Sequence, residues 1–86
     1  MRIVLHKTLE KKLKKLPCTI QDAYKKRRDL FLTNPFEKVL NNHPLQGEYV
    51  GFWSINITGD YRVIYDLIDD DLAHFIMIGT HAELYE

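Results

Sequence analysis

The chain has 86 residues, which is enough for one domain and no more, so we predict a single domain over residues 1–86. Its composition of 45% hydrophobic and 28% charged residues is ordinary for a soluble globular protein, and a single cysteine excludes an internal disulfide. The formal net charge is zero, and no apolar run has the roughly 18 residues of a membrane helix or the pattern of an export signal, which predicts a cytoplasmic protein.

The chain begins with a predicted strand and a predicted helix. Residues 2–5 are β-branched in their middle, as is typical of a short strand. Thr8 can cap the helix that follows, and Pro17 ends it. The helix has one apolar stripe among lysines, formed by Leu9, Leu13 and Leu16.

A second helix is predicted after Pro17. Thr19 can cap it, with Asp22 three residues on as a variant of the capping box. The helix should stop near Asn34-Pro35, because a residue before proline avoids helical geometry. One face of this helix carries Ile20, Ala23, Tyr24, Arg27 and Phe31.

Charge is distributed unevenly along these elements. Residues 1–40 hold 11 Lys and Arg against 4 Asp and Glu, whereas residues 41–86 hold 1 against 8. The first dense basic run is Lys11, Lys12, Lys14 and Lys15. Two interpretations stay open: a solvated helix face, or contact with an RNA backbone, which needs only electrostatics.

Residues 35–51 look irregular, and a hairpin follows them. Apolar and polar residues alternate over 52–57 and again over 61–65, with Thr58-Gly59-Asp60 as the turn. A three-residue loop would pair Ile55 with Val63 and Asn56 with Arg62, which keeps one face apolar and the other polar. A two-residue turn would put a charge on the apolar face, so we predict the longer loop.

The last strand, residues 72–78, is apolar at nearly every position and is predicted to be central in the sheet. A short tail over residues 80–85 is predicted to form at most one helical turn. The fold class is therefore α+β, in the order β-α-α-β-β-β. Two N-terminal helices pack on one face of a mostly antiparallel four-stranded sheet.

Four side chains near strand ends form a set that could cleave RNA: His43, Asp60, Arg62 and His81. Each alone also has a structural interpretation, such as capping a turn or pairing with an acidic residue. Together they offer an acid and a base for proton transfer and a cation for the phosphate, while RNA supplies its own 2′-hydroxyl nucleophile. No cysteine pair or His-Glu-x-x-His helix points to a metal, so we predict no metal and no cofactor.

Three segments carry a resemblance to a known family. They are His43-Pro44-Leu45 with Gly47 and Gly51, then Gly59 to Tyr65, then Gly79-Thr80-His81 with Leu84-Tyr85. In these segments the sequence resembles the RelE/ParE superfamily of toxins from toxin–antitoxin modules, and most of all its YafQ branch. The resemblance spans the whole chain, with its specific motifs in the C-terminal half.

This resemblance implies a ribosome-dependent endoribonuclease, an mRNA interferase held silent by a cognate antitoxin. It assigns catalytic roles to His43, Asp60 and His81, and RelE-like members add an arginine at the position of Arg62. The substrate-binding residues it implies are Asn56, Tyr61 and Tyr85. Asn56 departs from the family pattern, since the branch has a histidine there, and asparagine can bind a phosphate but cannot shuttle a proton.

Two alternatives have the same fold. One is a ParE-like toxin that poisons DNA gyrase without nuclease chemistry, and the other is a degenerate relative that only binds an antitoxin. The retained histidines favour the nuclease. The predicted partners are the antitoxin, the ribosome with its messenger RNA, and operator DNA reached only through the antitoxin.

Overall fold

The structure is a computed structural model that describes residues 1–85, so Glu86 of the predicted domain lies outside the described residues. The described part contains five strands and three α-helices, with two short 3-10 turns at Lys38–Leu40 and Gly47–Tyr49. The strands are β1 Arg2–Leu5, β2 His43–Pro44, β3 Trp53–Asn56, β4 Tyr61–Asp69 and β5 Leu72–Thr80. The helices are α1 Lys7–Lys15, α2 Cys18–Thr33 and α3 His81–Tyr85.

All five strands form one sheet in the order β1-β5-β4-β3-β2. Strand β1 runs parallel to β5, and the other three pairings are antiparallel. The α+β class is confirmed. Strand β5 is an interior strand, flanked by β1 and β4, whereas the middle position predicted for it belongs to β4. The predicted count of four strands is wrong, because His43 and Pro44 pair with Ser54 and Trp53 as a fifth strand. A two-residue strand has too few positions to alternate, and its proline suits the sheet edge where a backbone donor is not needed.

The hairpin register is confirmed. Ile55 pairs with Val63 and Asn56 with Arg62, and the Ile57 N–H donates to the Tyr61 carbonyl at 2.8 Å. The alternation therefore divides the sheet into two faces. One face, with Ile55 and Val63, meets the helices, while the other carries Asn56 and Arg62.

The helix ends are as predicted at the C-termini but not at the N-termini. Helix α1 is capped by His6, whose Nδ1 accepts from the Thr8 N–H at 3.1 Å, so the predicted Thr8 cap is wrong. Helix α2 begins at Cys18, which puts Thr19 inside the first turn and excludes it as the cap. The carbonyl of Pro17 accepts there from the Ile20 and Gln21 N–H groups, both at 3.0 Å.

The hydrophobic core lies between the two long helices and the sheet. Phe31 of α2 is at its centre, with ring centroids 5.2 Å from Tyr65 and 5.4 Å from Phe75 in edge-to-face arrangements. Leu9 and Tyr24 are buried beside it. The opposite face of the sheet is also covered in part, since Ile64 and its partner Ser54 have no exposed surface.

Within residues 1–85, no helix combines the length and the hydropathy that crossing a membrane requires.

Candidate active site

A cleft of about 290 Å³ opens on the sheet face that is turned away from the two long helices. Three separate segments supply its walls: residues 41–45 around β2, strand β4, and helix α3. Four of its side chains were predicted as functional from the sequence, and two, Asn41 and Leu45, were not. The cleft is lined by Asn41, His43, Leu45, Arg62, His81 and Tyr85.

Strand pairing brings these segments together. His43 lies opposite Ser54, which is two positions from Asn56, the partner of Arg62. Arg62 in turn pairs with Gly79 of β5, and the chain reaches His81 two residues later. Side chains at alternate positions share a face, so residues far apart in sequence meet at one end of the sheet.

His43 is half-buried and is the first residue of β2. Its Nδ1 atom lies 2.7 Å from the main-chain oxygen of Asn41. The neighbouring Asn42 is fixed on both sides: its Oδ1 accepts from the Tyr65 hydroxyl at 2.8 Å, and its Nδ2 donates to the Pro35 carbonyl at 2.9 Å. The imidazole is thus attached to a segment tied to the sheet.

Arg62 supplies the cation of the cleft. Its guanidinium donates from Nη1 to the Oδ1 of Asn56 and from Nη2 to the Gly59 carbonyl at 3.3 Å. The main-chain carbonyl of Asn56 also accepts from Arg27 of α2 at 3.4 Å. Asn56, where the resemblance led us to expect a histidine, therefore connects two arginines and orients the one that lines the cleft.

His81 and Tyr85 come from consecutive turns of α3. Their ring centroids are 4.7 Å apart, with the planes inclined by 51°, as side chains four residues apart on a helix allow. The His81 N–H donates to the Asp60 carbonyl at 3.0 Å. His81 is exposed, so it is not part of the hydrophobic core.

A capping box that the sequence analysis missed starts α3. The Thr80 N–H donates to a Glu83 carboxylate oxygen at 2.8 Å, and the Glu83 N–H donates to the Thr80 hydroxyl at 3.2 Å. The Thr80 backbone N–H, together with the Lys12 ammonium, lowers the pKa of the Glu83 carboxyl. The sequence contains the pattern of this box, Thr-x-x-Glu before an apolar residue. The sequence analysis predicted at most one helical turn here and did not identify the box.

Lys12 of α1 forms an ion pair with the same carboxylate. Its Nζ lies 3.1 Å from Glu83 Oε2, directly over Gly79, where an added Cβ would be only 2.9 Å from that nitrogen. Lys11, Lys14 and Lys15 are exposed. Of the four lysines predicted to contact RNA, Lys12 is therefore the one already engaged by the protein.

Three of the predicted catalytic and substrate-binding residues lie outside the cleft lining: Asn56, which holds Arg62 from behind it, Asp60 and Tyr61. Asp60 is exposed in the hairpin turn, and it reaches His81 only through its main-chain carbonyl. Tyr61 packs against the hydrophobic core. The period of two in β4 explains this, because it puts Tyr61 and Arg62 on opposite faces.

Within residues 1–85, no three His, Cys, Asp or Glu side chains converge closely enough to hold a metal ion.

The whole chain, residues 1–86, matches the family described as "Bacterial toxin of type II toxin-antitoxin system, YafQ". Over 53 residues it is 40% identical to the mRNA interferase toxin YafQ of Escherichia coli K12. That match covers 62% of this chain and 56% of the relative, so it spans little more than half of the relative's length.

Solved structures agree with the sequence match. The crystal structure of YafQ from E. coli BL21(DE3) superposes with a TM-score of 0.81 at 27% identity, over the full length of both chains. A chain of the E. coli DinJ–YafQ toxin–antitoxin complex superposes with a TM-score of 0.77 at 28% identity, covering 98% of this chain and 96% of that one.

Proposed function

Since the chain belongs to the YafQ family of bacterial type II toxins, we propose that it is an mRNA interferase, an endoribonuclease that cuts messenger RNA on the ribosome. The observation that carries the proposal is the convergence of His43, Arg62 and His81 on one cleft from three separate segments. Such an enzyme would act in the cytoplasm, where ribosome-bound message is found.

The chemistry follows from what RNA needs. The 2′-hydroxyl attacks the adjacent phosphorus after losing its proton to a base, and the 5′-oxygen leaves after receiving a proton from an acid. We assign His43 as the base and His81 as the acid. Arg62 stabilises the charge that develops on the phosphate, because its planar fork of donors matches phosphate oxygens. The products are a 2′,3′-cyclic phosphate and a free 5′-hydroxyl.

Tyr85 is the aromatic side chain of the cleft, and we assign it to stacking on a base of the message. Asp60 supports His81 in this mechanism through the hydrogen bond from the His81 N–H to its carbonyl. Asn56 orients Arg62 and takes no part in proton transfer. The reaction thus uses two histidines rather than three.

Substitution of His81 is the direct test. We expect His81→Ala to lower the single-turnover rate on ribosome-bound message by roughly 10²–10⁴, the range for a lost acid–base group, while EDTA-treated wild-type toxin keeps its activity. His74→Gln is the matched control, because His74 lies on β5 and contacts Asp66 at 3.4 Å, outside the cleft lining. Equal rates for His81→Ala and wild type would refute the mechanism, and DNA damage with intact transcripts would favour a gyrase poison.

We also propose that a cognate antitoxin binds the chain and covers apolar side chains that it exposes. Phe36, Val50 and Ile68 expose 66%, 73% and 57% of their surface, and exposed apolar side chains suit a segment that folds on binding. Co-purification with the product of the neighbouring gene tests this. At a free antitoxin concentration of 100 times Kd, binding should raise the free energy of unfolding by about 2.7 kcal/mol. No complex and no added stability would contradict it.

A further inference from the structure

Asn41 has an unusual backbone conformation. With φ 47° and ψ 46°, it is the one residue other than glycine with a positive φ in the described part of the chain. It ends the 3-10 turn Lys38–Leu40, where its N–H donates to the Lys38 carbonyl at 3.1 Å. This left-handed conformation directs the Asn41 carbonyl to the ring of His43, 2.7 Å away.

The contact defines which ring nitrogen of His43 carries the proton. A main-chain carbonyl can only accept a hydrogen bond, so the Nδ1 atom facing it must be the donor. A neutral imidazole has one ring proton, and the lone pair is then on Nε2. We propose that Asn41 is a positioning residue whose main-chain carbonyl holds His43 in the Nδ1–H tautomer, which leaves Nε2 to take the proton of the RNA 2′-hydroxyl. The proposal rests on the nuclease function proposed above.

The same bond helps after the proton has moved. Once Nε2 is protonated, the ring is a cation, and its Nδ1–H bond to the Asn41 carbonyl becomes charge-assisted and stronger. A base that is oriented by a third group is the arrangement that proton-transfer sites require. The residues that flank His43 in the sequence, Asn42 and Pro44, have no carboxylate for this role. The third group is instead the main-chain carbonyl of Asn41.

Residue type matters at position 41 because of its conformation. Asparagine and glycine tolerate the left-handed region, whereas a β-branched residue there is a strong outlier. Asn42 is held by Tyr65 and Pro35, and His43 by its strand pairing with Ser54. The flanking chain is therefore fixed, and a residue that rejects this conformation must move the carbonyl away from the ring.

The test measures the tautomer of His43 directly, by ¹⁵N NMR of the imidazole in the free protein. We expect the wild type to have protonated Nδ1 and unprotonated Nε2. Asn41→Gly and Asn41→Val form a matched pair, since both lack the amide side chain but only glycine accepts the backbone conformation. Asn41→Gly should keep the wild-type tautomer, and Asn41→Val should move the population towards the Nε2–H form.

Single-turnover cleavage gives the second readout. We expect Asn41→Val to cleave roughly tenfold or more slowly than Asn41→Gly, a part of the roughly 10²–10⁴ that an acid–base group contributes. A wild-type ring protonated on Nε2 would overturn the proposal whether or not RNA is cut, and needs no variant to fold. Asn41→Val with an unchanged tautomer and rate would overturn it too. A wild type with the expected tautomer but no cleavage would instead refute the proposed function, together with the role of His43 as its base.

Discussion

Two buried tyrosines should respond oppositely to loss of the hydroxyl. Tyr65 is 2% exposed, and its hydroxyl donates to Asn42 Oδ1 at 2.8 Å. Tyr24 is also 2% exposed, but its hydroxyl has no hydrogen-bond partner within residues 1–85. We therefore expect Tyr65→Phe to destabilise the fold and Tyr24→Phe to leave it unchanged or more stable.

The magnitudes at neutral pH follow from the hydrogen bonds. A typical bond contributes about 0.5–1.5 kcal/mol net, and Tyr65→Phe also leaves the half-buried Asn42 acceptor without its donor. We expect a loss of about 1–2 kcal/mol in the free energy of unfolding. Tyr24→Phe removes a buried hydroxyl that loses its hydration on folding and gains no hydrogen bond in exchange. The free energy of unfolding of this variant should therefore equal that of the wild type or exceed it by up to about 1 kcal/mol.

Alkaline pH adds a second test with a defined sign. Burial raises the pKa of Tyr65 from 10.0 to about 12. Because the folded pKa is above the unfolded one, the folded state keeps the proton longer, and stability is fully present below pH 10 and is lost between pH 10 and about 12. At about 1.4 kcal/mol per pH unit, this loss is about 2–3 kcal/mol. Tyr65→Phe should lack it.

Urea unfolding followed by circular dichroism at pH 7, 10 and 12 measures both effects. Lysine titration affects the wild type and both variants alike, so the difference between curves isolates the tyrosine. Burial raises the pKa of Tyr24 as well, so Tyr24→Phe should also flatten the alkaline loss while differing in sign at pH 7. The reasoning would fail if Tyr65→Phe were as stable as the wild type at pH 7 and lost as much stability at pH 12.

Three further variants test the cleft and the basic helix. Thr80→Ala removes the cap of α3 and should lower the free energy of unfolding by about 1 kcal/mol. It should also lower the cleavage rate severalfold, because the next residue, His81, is the proposed acid. An unchanged melting temperature would contradict the capping role. Arg62→Lys keeps the charge but loses the bidentate fork, so cleavage should fall roughly 10²-fold, as for other lost transition-state donors, and a full rate would remove Arg62 from the mechanism. Replacing Lys11, Lys14 and Lys15 with glutamine should flatten the salt dependence of ribosome binding, and an identical salt series would leave these lysines as a solvated face.

The fold could be predicted wherever a long pattern repeats. The hairpin register followed from alternation on both strands, since a shift by one residue would have buried Arg62. Strand β2 and the two helix caps could not be predicted in this way. His43 and Pro44 are too few to show a period, and the cap of α1 is a histidine, a residue that helix statistics do not favour at that position.

Residue chemistry pointed to His43, Arg62 and His81 as candidates, and the family resemblance added Tyr85. The structure brings these four side chains together in one cleft. Tyr61 does not line the cleft. The alternation of the hairpin already put Tyr61 on the apolar face, opposite to Arg62, and so could have predicted this. The role proposed for Asn41 could not be predicted from the sequence, because it depends on a backbone angle and a main-chain carbonyl rather than on the side chain.

Strand β5 is an interior strand of the sheet and also the last strand in chain order, pairing with β1 on one side and β4 on the other. During synthesis the first strand and the β3–β4 hairpin therefore have no common partner until residues 72–80 are available. Helices can form early from local contacts, whereas non-local strand pairing must wait. His81 follows β5 directly, so closing the sheet and completing the cleft are a single late step. Until residues 72–81 are available, the chain therefore has neither the closed sheet nor a complete cleft.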